Sequence, residues 1–239
     1  MSKTVFISGG SRGIGACAVK EFSKLGYNVA FTYFKSENEA LALQESTGAT
    51  AIFCDVANSS QVKNAIEATY NKFGSIDILV NNAGIDEFSL FTDITDEMWQ
   101  RMIDVNLSGA FYACRSALPY MISKKQGSII NISSMWGQVG ASCEVHYSVS
   151  KAGLIGLTKA LAKEVGPSNV RVNCICPGVI DTDMNSCLTE DDINQLKCDT
   201  PLGKIGKTKE IFDSILFLAE DSSSFITGQI LGVNGGYII

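Results

Sequence analysis

Seven short runs of mostly β-branched and apolar residues recur from end to end of the chain: TVFIS, NVAFTY, TAIFCDV, IDILVNN, SIINIS, VRVNCICP and GQILGVNG. Between them lie stretches with helical periodicity, such as GIGACAVKEFSKLG, SSQVKNAIEATYNKFG and KAGLIGLTKALAKEVG. A strand that is apolar on both faces must be covered on both faces, and strands separated by helices run parallel. The alternation therefore predicts a doubly wound α/β domain, a parallel sheet with helices on both sides. At 239 residues, 46% of them hydrophobic and 18% charged, the chain has ample material for such a core. No linker, low-complexity segment or internal repeat interrupts the pattern, so residues 1–239 are expected to form one domain. Regularity breaks at residues 181–205, DTDMNSCLTEDDINQLKCDTPLGKI, which are polar and acidic. They follow the C-terminal end of a strand, where such sheets bind ligands. They are therefore read as a flap over a site, with an incidental surface loop as the alternative.

Charge and composition exclude several classes. A formal net charge of −6 argues against nonspecific nucleic-acid binding, which needs a basic surface. The opening MSKTVFISGG has no apolar signal core or cleavage site, so export is not expected. No apolar run approaches the roughly 20 residues needed to cross a bilayer. A cytoplasmic location, without membrane or nucleic-acid partners, is the expectation. The eight cysteines (17, 54, 114, 143, 174, 176, 187 and 198) contain no CxxC, and His146 is the only histidine. Neither a metal site nor a disulfide framework is expected, and the cysteines read as small buried apolar residues in a reducing compartment.

The first strand runs into a tight glycine turn and then a helix, VFISGGSRGIGACAVKEF. Gly9, Gly13 and Gly15 give the spacing GxxxGxG rather than GxGxxG. Glycines let the backbone turn sharply and approach a pyrophosphate, and the helix N-terminus supplies free N–H groups and a favourable dipole. A tight strand-to-helix connection is the alternative. Dinucleotide enzymes that prefer NAD place an acidic residue at the end of the second strand. Here Tyr33 and Phe34 occupy that place, Lys35 follows, and Arg12 lies in the glycine turn. Two cations and no carboxylate favour a 2′-phosphate, so NADP over NAD, unless both are ordinary solvated charges.

In VHYSVSK, residues 145–151, Tyr147 and Lys151 stand four apart and share one helix face. An ammonium nearby favours the phenolate and lowers the tyrosine pKa, and a tyrosine so tuned can exchange a proton with a carbonyl oxygen. A YxxxK pair alone is most often a surface helix contact. Ser133 and Ser134 end the strand before it in NISSMWG, with Ser134 thirteen residues ahead of Tyr147. NNAG at 81–84 ends the fourth strand, and DVNLSG supplies Asn106.

Taken together over the whole chain, these motifs resemble the classical short-chain dehydrogenase/reductase family. The resemblance implies a single Rossmann-type domain with a seven-stranded parallel sheet, assembled as a homotetramer. It implies a catalytic set in which Tyr147 is the general acid/base and Ser134 hydrogen-bonds the substrate oxygen. Lys151 would lower the tyrosine pKa and hold the nicotinamide ribose, and Asn106 would help hold a proton-relaying water. The cofactor loop would be Gly9, Gly10, Ser11, Arg12, Gly13, Ile14 and Gly15, with Tyr33 and Lys35 beside it. Asp55 and Val56 match adenine contacts, and Asn82, Ala83 and Gly84 an adenosine-side wall. Pro177, Gly178, Ile180 and Thr182, from PGVIDTDM, match the loop near the nicotinamide. Asn82 and Asn106 could equally be buried amides tying loops together, and Ser134 a turn residue. Asn234 in GVNGG reads as structural.

Within that family the chain most resembles 3-oxoacyl-[acyl carrier protein] reductases, through GLIGLTKALAKEV and RVNCICPGVIDTDM. The resemblance implies an NADPH-dependent reduction of a 3-ketoacyl thioester to the 3-hydroxyacyl form, a step of fatty acid biosynthesis. The segment after NNAG, IDEFSLFTDITDEMW, lacks the arginine that often follows in that group. An acidic carrier protein needs a basic rim, for which Lys124 and Lys125 qualify, or they are simply a charged loop. Met135, Trp136, Val139, Val145, His146 and Met184 are the expected substrate-lining residues. His146 has no partner acid and no nucleophile at recognisable spacing, and reads as a wall residue before a catalytic one. Two alternatives stay open: an alcohol, hydroxysteroid or sugar dehydrogenase, and a non-catalytic nucleotide-binding protein.

Overall fold

The computed structural model describes residues 2–185 and 189–239. All seven runs are strands: β1 Thr4–Ser8, β2 Asn28–Tyr33, β3 Thr50–Phe53, β4 Ile78–Asn81, β5 Gly127–Ile132, β6 Val170–Pro177 and β7 Ile230–Val233. They form one parallel sheet in the order β3-β2-β1-β4-β5-β6-β7. The chain winds outward from β1 to β3, then returns to β1's other side with β4. The point of reversal lies between β1 and β4, where Ser8 pairs with Asn81 at the C-terminal ends. In open α/β sheets that crevice is where ligands bind.

Connecting helices cover both faces: α1 Gly13–Lys24, α2 Glu37–Thr47, α3 Ser59–Phe73, α4 Asp96–Ile103, α5 Gly109–Lys124, α6 Trp136–Val139, α7 Val145–Val165, α8 Glu190–Asp199 and α9 Thr208–Ala219. On one face Val5, Ile7, Phe31 and Val80 pack against Phe22 of α1 and Phe212 of α9, whose rings meet edge to face at 5.1 Å. On the other, Phe6, Leu79 and Ile129 pack against Ile66 of α3 and Met121 of α5. Strands buried on both faces are what the continuous apolar runs require. No helix among the described residues is long and apolar enough to cross a membrane.

Two features depart from the sequence reading. The 181–205 segment is not irregular throughout. Thr189 caps α8 reciprocally with Asp192, a capping box legible in TEDD. The cysteines are not uniformly buried: Cys54, Cys114, Cys174 and Cys176 are, Cys17 and Cys143 are half-buried, and Cys198 on α8 is exposed. Cys187 lies outside the described residues.

Candidate active site

The glycine turn closes on the fourth strand through Asn82. Its Nδ2 donates to the backbone oxygens of Ser8 and Gly9 at 3.1 and 2.9 Å, and the Ser8 hydroxyl accepts from the amides of Asn82 and Ala83. Gly9 has φ +65° and Gly13 φ +53°, the left-handed region that favours glycine. A β-carbon on Gly10 would lie 2.5 Å from that of Phe31, and one on Gly15 would lie 2.6 Å from Asn82 Nδ2. Gly10 and Gly15 are packing glycines that let turn, helix and sheet approach. Asn82 does tie loops together, the alternative considered for it.

A cleft with a volume of about 930 Å³ runs along the C-terminal edge of the sheet. Gly9, Ser11, Arg12, Gly13, Ile14, Tyr33, Lys35, Asp55, Val56, Asn82, Ala83 and Gly84 line one end. Ser134, Met135, Trp136, Tyr147, Lys151, Pro177, Gly178, Ile180 and Met184 line the rest, and Thr182 reaches over to Gly13 of the turn. The first end fits a dinucleotide. Arg12 at the N-cap of α1 makes no side-chain cap, and no acidic residue stands in the first turn, so the free amides there are open to an anion. Arg12 is exposed and lies 3.9 Å from Asp183 across the cleft mouth. Sequence reasoning missed Arg101 of α4. It holds both oxygens of Asp55 at 2.9 and 3.2 Å and lies over the Phe34 ring. No motif carries that pairing, because it joins a helix to the loop after β3, 46 residues away in sequence.

At the other end α7 presents Tyr147 and Lys151 from its first two turns, both buried, beside Ser134 at the end of β5. Lys151 Nζ donates to the Ile132 backbone oxygen at 3.1 Å and lies 5.5 Å from the Tyr147 ring centroid. The Ser133 hydroxyl donates to the Lys151 backbone oxygen, fixing α7 against β5. A β-carbon on Gly84 would sit 3.2 Å from Lys151 Nζ and 3.4 Å from Asn106 Oδ1, so this glycine lets both approach.

Asn106 lies in a π-helical turn, Asp104–Ser108, between α4 and α5. Its Oδ1 accepts from the Ile85 amide, and its Nδ2 donates to the Ile85 oxygen and to Ser150. Its side chain thus anchors the loop after β4 rather than lining the cleft.

The tuning of the pair differs from the sequence expectation. Burial first, then the Asp86 carboxylate, pushes the Tyr147 phenol up; the Ser134 hydroxyl acts the other way and Glu144 adds to the rise. Burial pulls Lys151 down to about 8, with Cys174 and Asp86 opposing. In the protein by itself, desolvation and the Asp86 charge hold the tyrosine above its ordinary value.

Of the expected substrate residues, Met135, Trp136 and Met184 line the cleft, and Trp136 packs edge to face on Tyr237. Val139, Val145 and His146 do not. Val139 points to solvent, 56% exposed, and His146 is fully buried with neither ring nitrogen hydrogen-bonded among the described residues. Asp86 and Glu144, unremarked in the sequence, line the cleft beside Tyr147. Lys124 pairs with Asp77, and Lys125 follows it before β5, at the N-terminal edge of the sheet, so neither forms a rim at the cleft. Asn234 accepts from the Gly236 amide and donates to Ile238, a structural role.

Residues 9–238 match the protein family described as Enoyl-(Acyl carrier protein) reductase. The chain is 41% identical over 241 residues to 3-oxoacyl-[acyl-carrier-protein] reductase FabG of Chlamydia trachomatis, covering 99% of this chain and 97% of that one. It is 39% identical to the proteins of the same name from Staphylococcus aureus and Thermotoga maritima, covering 99% of this chain and 98% of each.

Proposed function

The chain belongs to the short-chain dehydrogenase/reductase family and is an oxidoreductase acting on CH–OH/C=O groups, and from that premise we propose that it uses NADPH to reduce a 3-oxoacyl thioester, carried on an acyl carrier protein, to the 3-hydroxyacyl form. The observation that carries the reading is the meeting of Ser134, Tyr147 and Lys151 in one cleft with the glycine turn. The relatives, named 3-oxoacyl reductases, favour a carbonyl over the carbon–carbon double bond that the family description implies.

Bound NADPH supplies the hydride, and the chain handles the proton. The glycine turn and the N-terminus of α1 would hold the pyrophosphate, Arg12 and Lys35 the 2′-phosphate, and Asp55, kept in place by Arg101, the adenine. Tyr147, kept in its phenol form by burial, gives its proton to the substrate oxygen as charge develops there. Ser134 donates a hydrogen bond to the same oxygen. The Lys151 ammonium stabilises the tyrosinate left behind, and Asn106 positions the loop carrying Asp86. Residues 181–205 act as a flap; within them Ile180's neighbour Thr182, together with Asp183 and Met184, borders the cleft. Residues 186–188 of the flap lie outside the described residues. The working assembly is a homotetramer in the cytoplasm.

The test is NADPH consumption with an acetoacetyl thioester against a panel of cyclic ketones and secondary alcohols, repeated with NADH. Tyr147→Phe should lower turnover by about 10²–10⁴-fold or more while NADPH affinity stays near wild type. Unchanged turnover would refute the mechanism, and a preference for cyclic alcohols would refute the substrate.

A further inference from the structure

Two carboxyl groups beside Tyr147 have no part in the reaction as proposed. Glu144, the residue before α7, is 5% exposed and lines the cleft, and its Oε2 is buried without a hydrogen-bond partner among the described residues. A buried oxygen left unmade is unfavourable unless something meets it. Glu144 is the N-cap of α7, three residues ahead of Tyr147, lines the same cleft and acts electrostatically on the phenol. Asp86, on the loop after β4, lines the cleft opposite and acts electrostatically on Glu144, Tyr147 and Lys151. Burial, then the Asp86 charge, pushes Glu144 up to about 7, so its acid form is well populated at neutral pH. Among the described residues, the other titratable groups around the pair are Tyr147, Lys151 and His146 on α7, Glu87 next to Asp86, and Cys176 on β6, and the Lys151 ammonium offsets Asp86.

We propose that the Glu144 carboxyl, in its acid form, donates a hydrogen bond to a second carbonyl oxygen of the substrate, two carbons from the ketone held by Tyr147 and Ser134, and so selects 1,3-dicarbonyl compounds over simple ketones. The inference rests on the reading of the substrate as a 3-oxoacyl thioester. A carboxylic acid offers one O–H donor, and a thioester carbonyl can only accept. A simple ketone leaves that donor without an acceptor. A free 3-oxo acid would bring a second anion beside Asp86, which repels it.

The experiment measures kcat/KM with NADPH for an acetoacetyl thioester of N-acetylcysteamine and for cyclohexanone, from pH 6 to 8.5. The ratio of the two cancels Tyr147 and Lys151, which serve both substrates. In wild type the ratio should fall as pH rises through about 7. Glu144→Ala should lower the ratio at pH 6 by about ten- to a hundredfold. Glu144→Gln, whose amide donates at every pH, should keep most of the ratio and flatten its pH dependence. A purely structural role for Glu144 would not produce that flattening. A wild-type ratio independent of pH, or a Gln variant with the wild-type profile, overturns the role of Glu144 alone. A wild type that reduces cyclohexanone and not the thioester overturns the substrate reading and this inference with it.

Discussion

Replacing Gly15 with alanine tests whether the glycine turn is fixed by packing. The added β-carbon would lie 2.6 Å from Asn82 Nδ2 and 3.0 Å from Gly10 Cα, and well inside contact with the Gly9 backbone oxygen. The obstacle is therefore backbone and a side chain pinned by two hydrogen bonds, not the free end of a flexible group. Relief needs the turn to move away from α1, breaking the Asn82 bridge to Ser8 and Gly9. Overpacking of this kind costs about 1–3 kcal/mol. For a chain of this length that is a fall in Tm of roughly 2–12 °C. NADPH affinity should drop by at least as much, since the displaced amides are those facing the pyrophosphate. Gly156→Ala is the matched control. Its β-carbon meets nothing within 4 Å and it lies inside α7, so stability should hold or rise by about 0.4–1 kcal/mol. Thermal melts by circular dichroism and NADPH titration by fluorescence read both effects. Gly15→Ala with wild-type Tm and wild-type NADPH affinity would refute the packing argument.

Two further outcomes follow from charges. Burial works against the Asp77 anion, yet hydrogen bonds from Lys124, the Thr4 amide and Ser75 outweigh it and hold its pKa below the usual carboxylate range. Its stabilising contribution is thus present above the unfolded-state pKa and lost as pH falls through the folded one. Asp77→Asn should destabilise the protein at pH 7 and flatten the acid limb of a Tm-against-pH curve, and an unchanged acid limb would count against it. If Arg12 and Lys35 hold the 2′-phosphate, the double variant Arg12→Ala/Lys35→Ala should lose about tenfold or more in NADPH affinity and almost nothing in NADH affinity, and equal losses would remove the NADP assignment.

The fold was legible because the strands between the two edges, β2, β1, β4, β5 and β6, are buried on both faces, which leaves unbroken runs such as VRVNCICP in the sequence. The site was legible where one motif carries one role: the glycine turn, Ser134, and the Tyr147/Lys151 spacing. What was missed required knowing which end of the sheet a residue occupies, and part of that was available. Lys124 precedes a strand, so it lies at the N-terminal edge, while ligands bind at the C-terminal one. Neighbours on a helix point about 100° apart, so a Tyr147 facing the cleft turns His146 away from it. Arg101 on Asp55 left no such trace, because a long side chain reaching another element has no sequence period. Glu144 and Asp86 are likewise joined only by the approach of α7 to the loop after β4.

The electrostatics of the cleft bear on the direction of the reaction. Burial disfavours charge on both members of the pair, so Tyr147 is held as phenol and Lys151 is drawn toward neutrality. Reduction of a ketone begins with the phenol, which this environment already provides at neutral pH. Oxidation of an alcohol begins with the tyrosinate, which burial and the Asp86 charge oppose. Asp86 also helps keep Lys151 charged. The ammonium is therefore available when the proton leaves and the tyrosinate must be stabilised. A site with the same three residues and no acids beside them would favour the phenolate more and the ammonium less. Asp86 thereby biases the chain toward giving a proton to a carbonyl oxygen over taking one from an alcohol.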